Sequence, residues 1–328
     1  MHRRDLLAFL GVLPCGWSIE VSAQNADRMR RVGILMSLAA EDPQGRERDA
    51  VFRKAMEERG WTEGLNVTFD FRWTAGDPEL PRKYAAELVA LRPDVLVAGG
   101  GPVIAPLQQA TRTIPIVFTL AIDPVARGYV ASFARPGGNT TGFINLEYEF
   151  SLKWLELLTQ IAPNVTRVAV FHDPGAIGLA QYQAIAAGAP SLHVDVHPIV
   201  LTEPGQISHA IERFSEQSNG GLVVTASTAA TFHRQLIIGL AARYRLPAVY
   251  PSRFHVVSGG LISYGPVFLE QYRQAADYVD RILNGADPAN LPVQAPTRYE
   301  VAVNLGTARA LGLTLPRIIL ARAQIIID

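Results

Sequence analysis

Short apolar runs alternate with helical stripes along almost the whole chain, and few folds accommodate that order. Residues 32–36 (VGILM) are continuously apolar, as a strand buried on both faces must be. Val51, Phe52, Ala55 and Met56 then recur at helical spacing, with Gly60 placed to end the helix. Residues 66–72 alternate as a second strand, Tyr84, Ala85, Leu88 and Val89 form a second helical stripe, and 94–98 make a third strand. Residues 116–119 extend the series between Pro115 and the break at Ala121-Ile122-Asp123-Pro124. After Asn145 the order restarts, with strands at 167–171, 194–199, 221–225 and 248–250 and helical patterns at 176–188, 207–217 and 237–243. Repeated strand–helix–strand units predict an α/β chain of parallel, doubly wound sheets. Across 328 residues, two such series predict two lobes, each large enough for its own core. Segments 143–145 and 263–265 lack the composition of a flexible linker and read as short hinge strands.

The first 23 residues stand apart as a targeting segment. Arg3 and Arg4 give a positive start, residues 6–13 an apolar stretch, and Val21-Ser22-Ala23 a small-residue cleavage site before Gln24. That stretch is too short to cross a bilayer core of about 30 Å, so the expectation is export with no permanent membrane anchor. Cys15, the single cysteine, falls inside this segment, and Pro14 before it makes a poor lipidation signal. The mature chain then has no thiol for a disulfide, a metal or a nucleophile. A formal net charge of zero leaves no electrostatic footprint for nucleic acid.

Chemistry is concentrated where strands end, which is where ligands bind in open α/β sheets. Ser37 follows the first strand, and Gly99-Gly100-Gly101-Pro102 follows the third. Those glycines let a ligand approach the backbone, although Ile104 stands where a dinucleotide-binding fingerprint needs its third glycine. Asp123-Pro124 and Asp173-Pro174 echo one another in the two series. An Asp there accepts hydrogen bonds from a ligand ammonium or caps the next helix. Thr225-Ala226-Ser227-Thr228 offers hydroxyls with the same two uses. Tyr250 and Tyr264 end strands and present a ring and a hydroxyl either to a ligand or to the core. Arg135-Pro136-Gly137-Gly138-Asn139 reads as a tight structural loop. Trp61, Trp73 and Trp154 read as core, and His193 and His197 lack a third ligand for a metal. No G-x-S-x-G elbow, Walker A loop or H-E-x-x-H occurs, so no enzyme, cofactor or metal site is expected.

Several long phrases resemble one family. DPVARGYVASFARPGGNTTG (123–142), Tyr250-Pro251-Ser252-Arg253, Leu261-Ile262-Ser263-Tyr264-Gly265-Pro266, Tyr278-Val279-Asp280-Arg281-Ile282-Leu283, Val303-Asn304-Leu305 and Ala310-Leu311-Gly312-Leu313 are similar to bacterial ABC-transporter substrate-binding proteins of the TrpX-like group. The resemblance implies a periplasmic-binding-protein type I fold: signal peptide 1–23, first lobe 24–145 and 265–286, second lobe 146–264 and 287–328. It implies a periplasmic receptor that passes a small solute to an ABC permease with its ATPase, the solute being an amino acid or related carboxylate. A preference for an aromatic solute rests on the resemblance alone. The expected site sets Ser37, Gly100, Gly101, Asp123 and Asn145 against Asp173, Thr225, Tyr250 and Tyr264. A sensory receptor of the same fold and an α/β enzyme with an unrecognised site are the alternatives.

Overall fold

The computed structural model describes residues 28–145, 148–201 and 203–328. The leader, with Arg3, Arg4, Cys15 and Ala23, lies outside the described residues. Among the described residues, twelve strands form two sheets. The first contains β1 (Arg30–Met36), β2 (Val67–Trp73), β3 (Val95–Gly99), β4 (Ile116–Ala121) and β5 (Thr140–Ile144), with helices α1 (Pro43–Glu57), α2 (Leu80–Ala90) and α3 (Ile104–Ala110) in the crossovers. Its order is β2-β1-β3-β4-β5, and every pairing is parallel. Successive side chains of β1 serve opposite faces. Ile34 and Met36 pack with Phe52 and Met56 of α1, while Leu35 packs with Ala85 and Leu88 of α2.

The chain then runs through α4 (Leu152–Ile161), β6 (Arg167–His172), α5 (Ala176–Gly188), β7 (Asp195–Val200), α6 (Pro204–Ser215), β8 (Gly220–Val224), α7 (Thr228–Phe232), α8 (Arg234–Arg243), β9 (Ala248–Tyr250), α9 (Arg253–Val257) and β10 (Ile262–Pro266). It continues into α10 (Phe268–Leu283), β11 (Tyr299–Asn304), α11 (Leu305–Ala310), α12 (Arg317–Arg322) and β12 (Ala323–Ile327). The second sheet has the order β12-β11-β10-β9-β8-β6-β7. It departs from the all-parallel expectation at one place, where β11 runs antiparallel to β10. α10 does not cover this sheet: its Tyr272, Ala275, Ala276 and Val279 join the core of the first, beside Val32 and Ile34. The chain returns only after that excursion, which is why β11 enters from the opposite end.

Three segments link the sheets, at the ends of β5 and β10 and before β11. Gln294 holds the third to the first: its N–H donates to Gly142 O (3.0 Å) and its O accepts from Ile144 N (2.9 Å). The β4–β5 ladder slips register between Phe118 and Ala121, where Leu120 has φ 59°. Buried Gln271 of α10 repairs the gap, accepting from Leu120 N (3.0 Å) and donating to Ile144 O (2.9 Å). Gly142 passes so close that a Cβ would lie 2.0 Å from Phe118 O, so only glycine fits.

Candidate ligand cleft

Strand order locates the cleft. The first sheet changes winding direction between β1 and β3, and the second between β6 and β8; at such switch points the loops after the strands diverge and leave a crevice. Both crevices face one another. Between them lie two adjoining cavities of about 190 Å³ and 60 Å³, which share Gly101, Leu120, Ala226, Ser227 and Thr228 as walls. The larger reaches Arg127, Tyr129, Asp173 and Gln181; the smaller reaches Ser37, Arg48, Gly100, Asn145 and Ser252.

On the first lobe, Ser37, Gly100, Gly101 and Asn145 come together at the cavity wall as the strand-end argument expects. The Ser37 hydroxyl donates to Gly99 O (3.0 Å), which fixes the turn more than it offers a donor to a ligand. Gly100 has φ 123°, and a Cβ there would lie 2.4 Å from Ser37 Oγ. Asn145 is buried, and its Oδ1 has no hydrogen-bond partner. Asp123 lines neither cavity. With φ 47° its carboxylate turns back and accepts from Ala126 N (3.1 Å), which closes the turn after β4; no helix begins there for it to cap, and the carboxylate lies away from the cavity walls where a ligand role was expected.

The second Asp-Pro turn behaves differently. α5 begins from Gly175 with no side-chain cap, and Asp173 instead lines the larger cavity with Oδ1 buried and unpartnered. Burial pushes its carboxyl above the usual carboxylate range, against the opposing pull of Ser227, His172 and His233. Thr225 is fully buried behind the wall with Oγ1 unpartnered and lines neither cavity. Ser227 is at the wall and caps α7, accepting from Ala230 N (2.9 Å).

Neither tyrosine reaches the cleft. Tyr250 is buried in the core formed with Phe171, Ile237 and Leu240, and stacks on His255 at 5.2 Å. It follows apolar β9 residues, and its inward register sends the ring under the sheet. Burial drives the His255 pKa down to about 4. Tyr264 stacks on Phe150 at 5.0 Å and lines a separate groove with Lys153, Glu156 and Arg322. Among the described residues no group of three or more metal-ligating side chains occurs.

Arg48 and Gln181 were invisible to sequence reasoning. Arg48 sits within the charged run Arg46-Glu47-Arg48-Asp49, where nothing distinguishes one arginine from the next. The cross-lobe contacts were equally hidden. Asp42 at the start of α1 pairs with Arg234 of α8 at 2.7 Å, both side chains about 15% exposed. Glu47 of α1 pairs with Arg253 of α9, and the Phe232 ring closes over Gly76, where a Cβ would lie 2.8 Å from it. The lobes are therefore closed on one another.

Known proteins share this architecture. A conserved domain protein of Vibrio cholerae superposes with a TM-score of 0.84 at 27% identity, covering 91% of this chain and all (100%) of that one. A Streptococcus pneumonia domain in complex with L-Trp superposes at 0.83 with 21% identity, over 91% of this chain and 99% of that one. A ligand-free, open substrate binding protein of Clostridium difficile gives 0.69 at 22% identity, over 91% and 99%. In sequence, a tyrosine-binding protein of Clostridioides difficile is 23% identical over 291 residues, 88% of this chain and 84% of that protein. Residues 35–327 match the family described as ABC transporter substrate binding protein, and the chain belongs to that family.

Proposed function

We propose that this protein captures a free amino acid between its lobes in the periplasm and delivers it to an ABC importer. One observation carries the ligand class. Besides Gln181 Oε1, which also lacks a donor, the closed cleft presents two unpartnered buried oxygens on opposite lobes, Asn145 Oδ1 on one and Asp173 Oδ1 on the other. Buried acceptors without donors are costly, and a ligand ammonium supplies donors to both. The wall between them is apolar at Leu120 and Ala226, which suits the body of an amino acid. The tyrosine-binding relative and the L-Trp complex support an amino acid, aromatic ones included. Membership of the family supports delivery to a permease with its ATPase, and the order of charge, apolar stretch and small residues in 1–23 supports export.

The test is a thermal-shift screen of free amino acids, aromatic acids and small sugars on protein recovered from a periplasmic extract. The recovered chain is expected to begin near Gln24. At about 100 times its Kd an amino acid adds about 2.7 kcal/mol of stability, several degrees in melting temperature. A shift from sugars alone would overturn the ligand class, and a chain retained with its leader in the membrane pellet would overturn export.

A further inference from the structure

We propose that Arg48 is the anchor for the ligand's carboxylate and the residue that makes the site select free amino acids over neutral derivatives. This rests on the amino-acid reading above and extends it from the ammonium to the opposite end of the ligand.

Arg48 lies on α1 and lines the smaller cavity with Ser37, Asn145 and Ser252. It is 4% exposed, its Nε has no hydrogen-bond partner, and it makes no ion pair with any described residue. Its acidic neighbours on and at the start of α1 are occupied. Glu47 pairs with Arg253, Asp49 with Arg53 at 2.6 Å, and Asp42 with Arg234 at 2.7 Å. What supports the guanidinium is the Tyr272 ring, 5.5 Å away. A ring face holds the position of a cation but does not replace a counter-ion. A guanidinium taken out of water without an anion is strongly unfavourable, so the closed cleft is complete only when an anion enters with it. The fork of N–H donors fits a planar carboxylate through two parallel hydrogen bonds.

The charge order in the cleft agrees with this assignment. Arg48 lines the smaller cavity and Asp173 the larger, and the two cavities meet along Gly101, Leu120 and Ser227. An α-amino acid seated across that shared wall has its carboxylate toward Arg48 and its ammonium toward Asp173. Its side chain then extends toward Tyr129 and Gln181.

Calorimetric titration of the parent, Arg48→Gln and Arg48→Lys tests the assignment. The probes are L-tryptophan, L-tyrosine and whichever other free amino acid stabilises the parent most, each beside its C-terminal amide. The parent is expected to prefer acid over amide. Arg48→Gln is expected to bind the acid roughly 30- to 100-fold more weakly and the amide about as well as the parent does. Arg48→Lys should recover part of the loss, since an ammonium keeps the charge but not the fork. Ligand-free Arg48→Gln should melt no lower than the parent. Equal affinity of Arg48→Gln and parent for the acid would overturn the anchor and leave the amino-acid reading standing. So would equal losses for acid and amide together with a lowered ligand-free melting temperature, the pattern of a merely structural arginine. A parent that binds none of the acids would overturn both.

Discussion

Asp173 is the residue at which stability and function pull apart most clearly. Burial raises its pKa, so the folded protein takes up this proton more readily than the unfolded chain does. Its contribution to ligand-free stability is fully present below the ordinary value of 3.8 and is lost as pH rises through the folded value. Where the carboxylate is ionised, its burial therefore destabilises the empty protein. Asp173→Asn is predicted to melt higher than the parent at pH 7, to lose that advantage on acidification, and to bind the amino acid at least tenfold more weakly. Buried His255 acts in the opposite sense, losing its contribution as pH falls from 6.5 toward about 4, but it is common to both proteins and cancels in the difference. Melting curves of the two from pH 4 to 8 check this; a lower melting temperature for Asp173→Asn at pH 7 would contradict it. The echo of Asp123-Pro124 in Asp173-Pro174 was legible, but not the divergence of duty. That depends on whether the backbone after the strand enters the left-handed region, as Asp123 does at φ 47°. Tyr250 and Tyr264 were legible as strand-end rings, while the face each ring takes depends on tertiary packing against His255 and Phe150.

Helix α1 does more than cover a sheet. Asp42 accepts from Gln44 N (2.8 Å) to start the helix and also pairs with Arg234 across the cleft, while Glu47 reaches Arg253. The pairs join the lobes only when they are closed, so they stabilise the bound state and not the separate lobes. Arg234→Gln is predicted to weaken ligand binding about fivefold, about 1 kcal/mol, while changing the ligand-free melting temperature little. A double-mutant cycle with Asp42→Asn checks the pairing, because the two losses should not add. Simple additivity would remove the pair from the closing contacts. Apolar periodicity made β1 to β4, β6 to β9 and helices α5, α6 and α8 readable to within a few residues, but not α4, α12 or β12. It carried nothing about Asp42 and Arg234, whose meeting depends on how two lobes are set against each other.

At the scale of the whole molecule, two series of strand and helix signals correspond to two sheets whose winding reverses at the same relative place. Those two reversals put Ser37 and Gly100 opposite Asp173 and Ser227. The antiparallel β11 was not legible, because periodicity within a strand does not record its direction. The return of α10 to the first lobe was implied by family resemblance, and its physical basis is the apolar face of Tyr272, Ala276 and Val279. The most direct test of capture between the lobes is a crystal structure of the protein with the free amino acid that stabilises it most. The account predicts closed lobes with the ligand bounded by Gly101, Leu120, Asn145, Asp173 and Ser227, its carboxylate on Arg48. A ligand found instead in the groove beside Tyr264 and Tyr299, or on an open lobe away from Asp173, would contradict it.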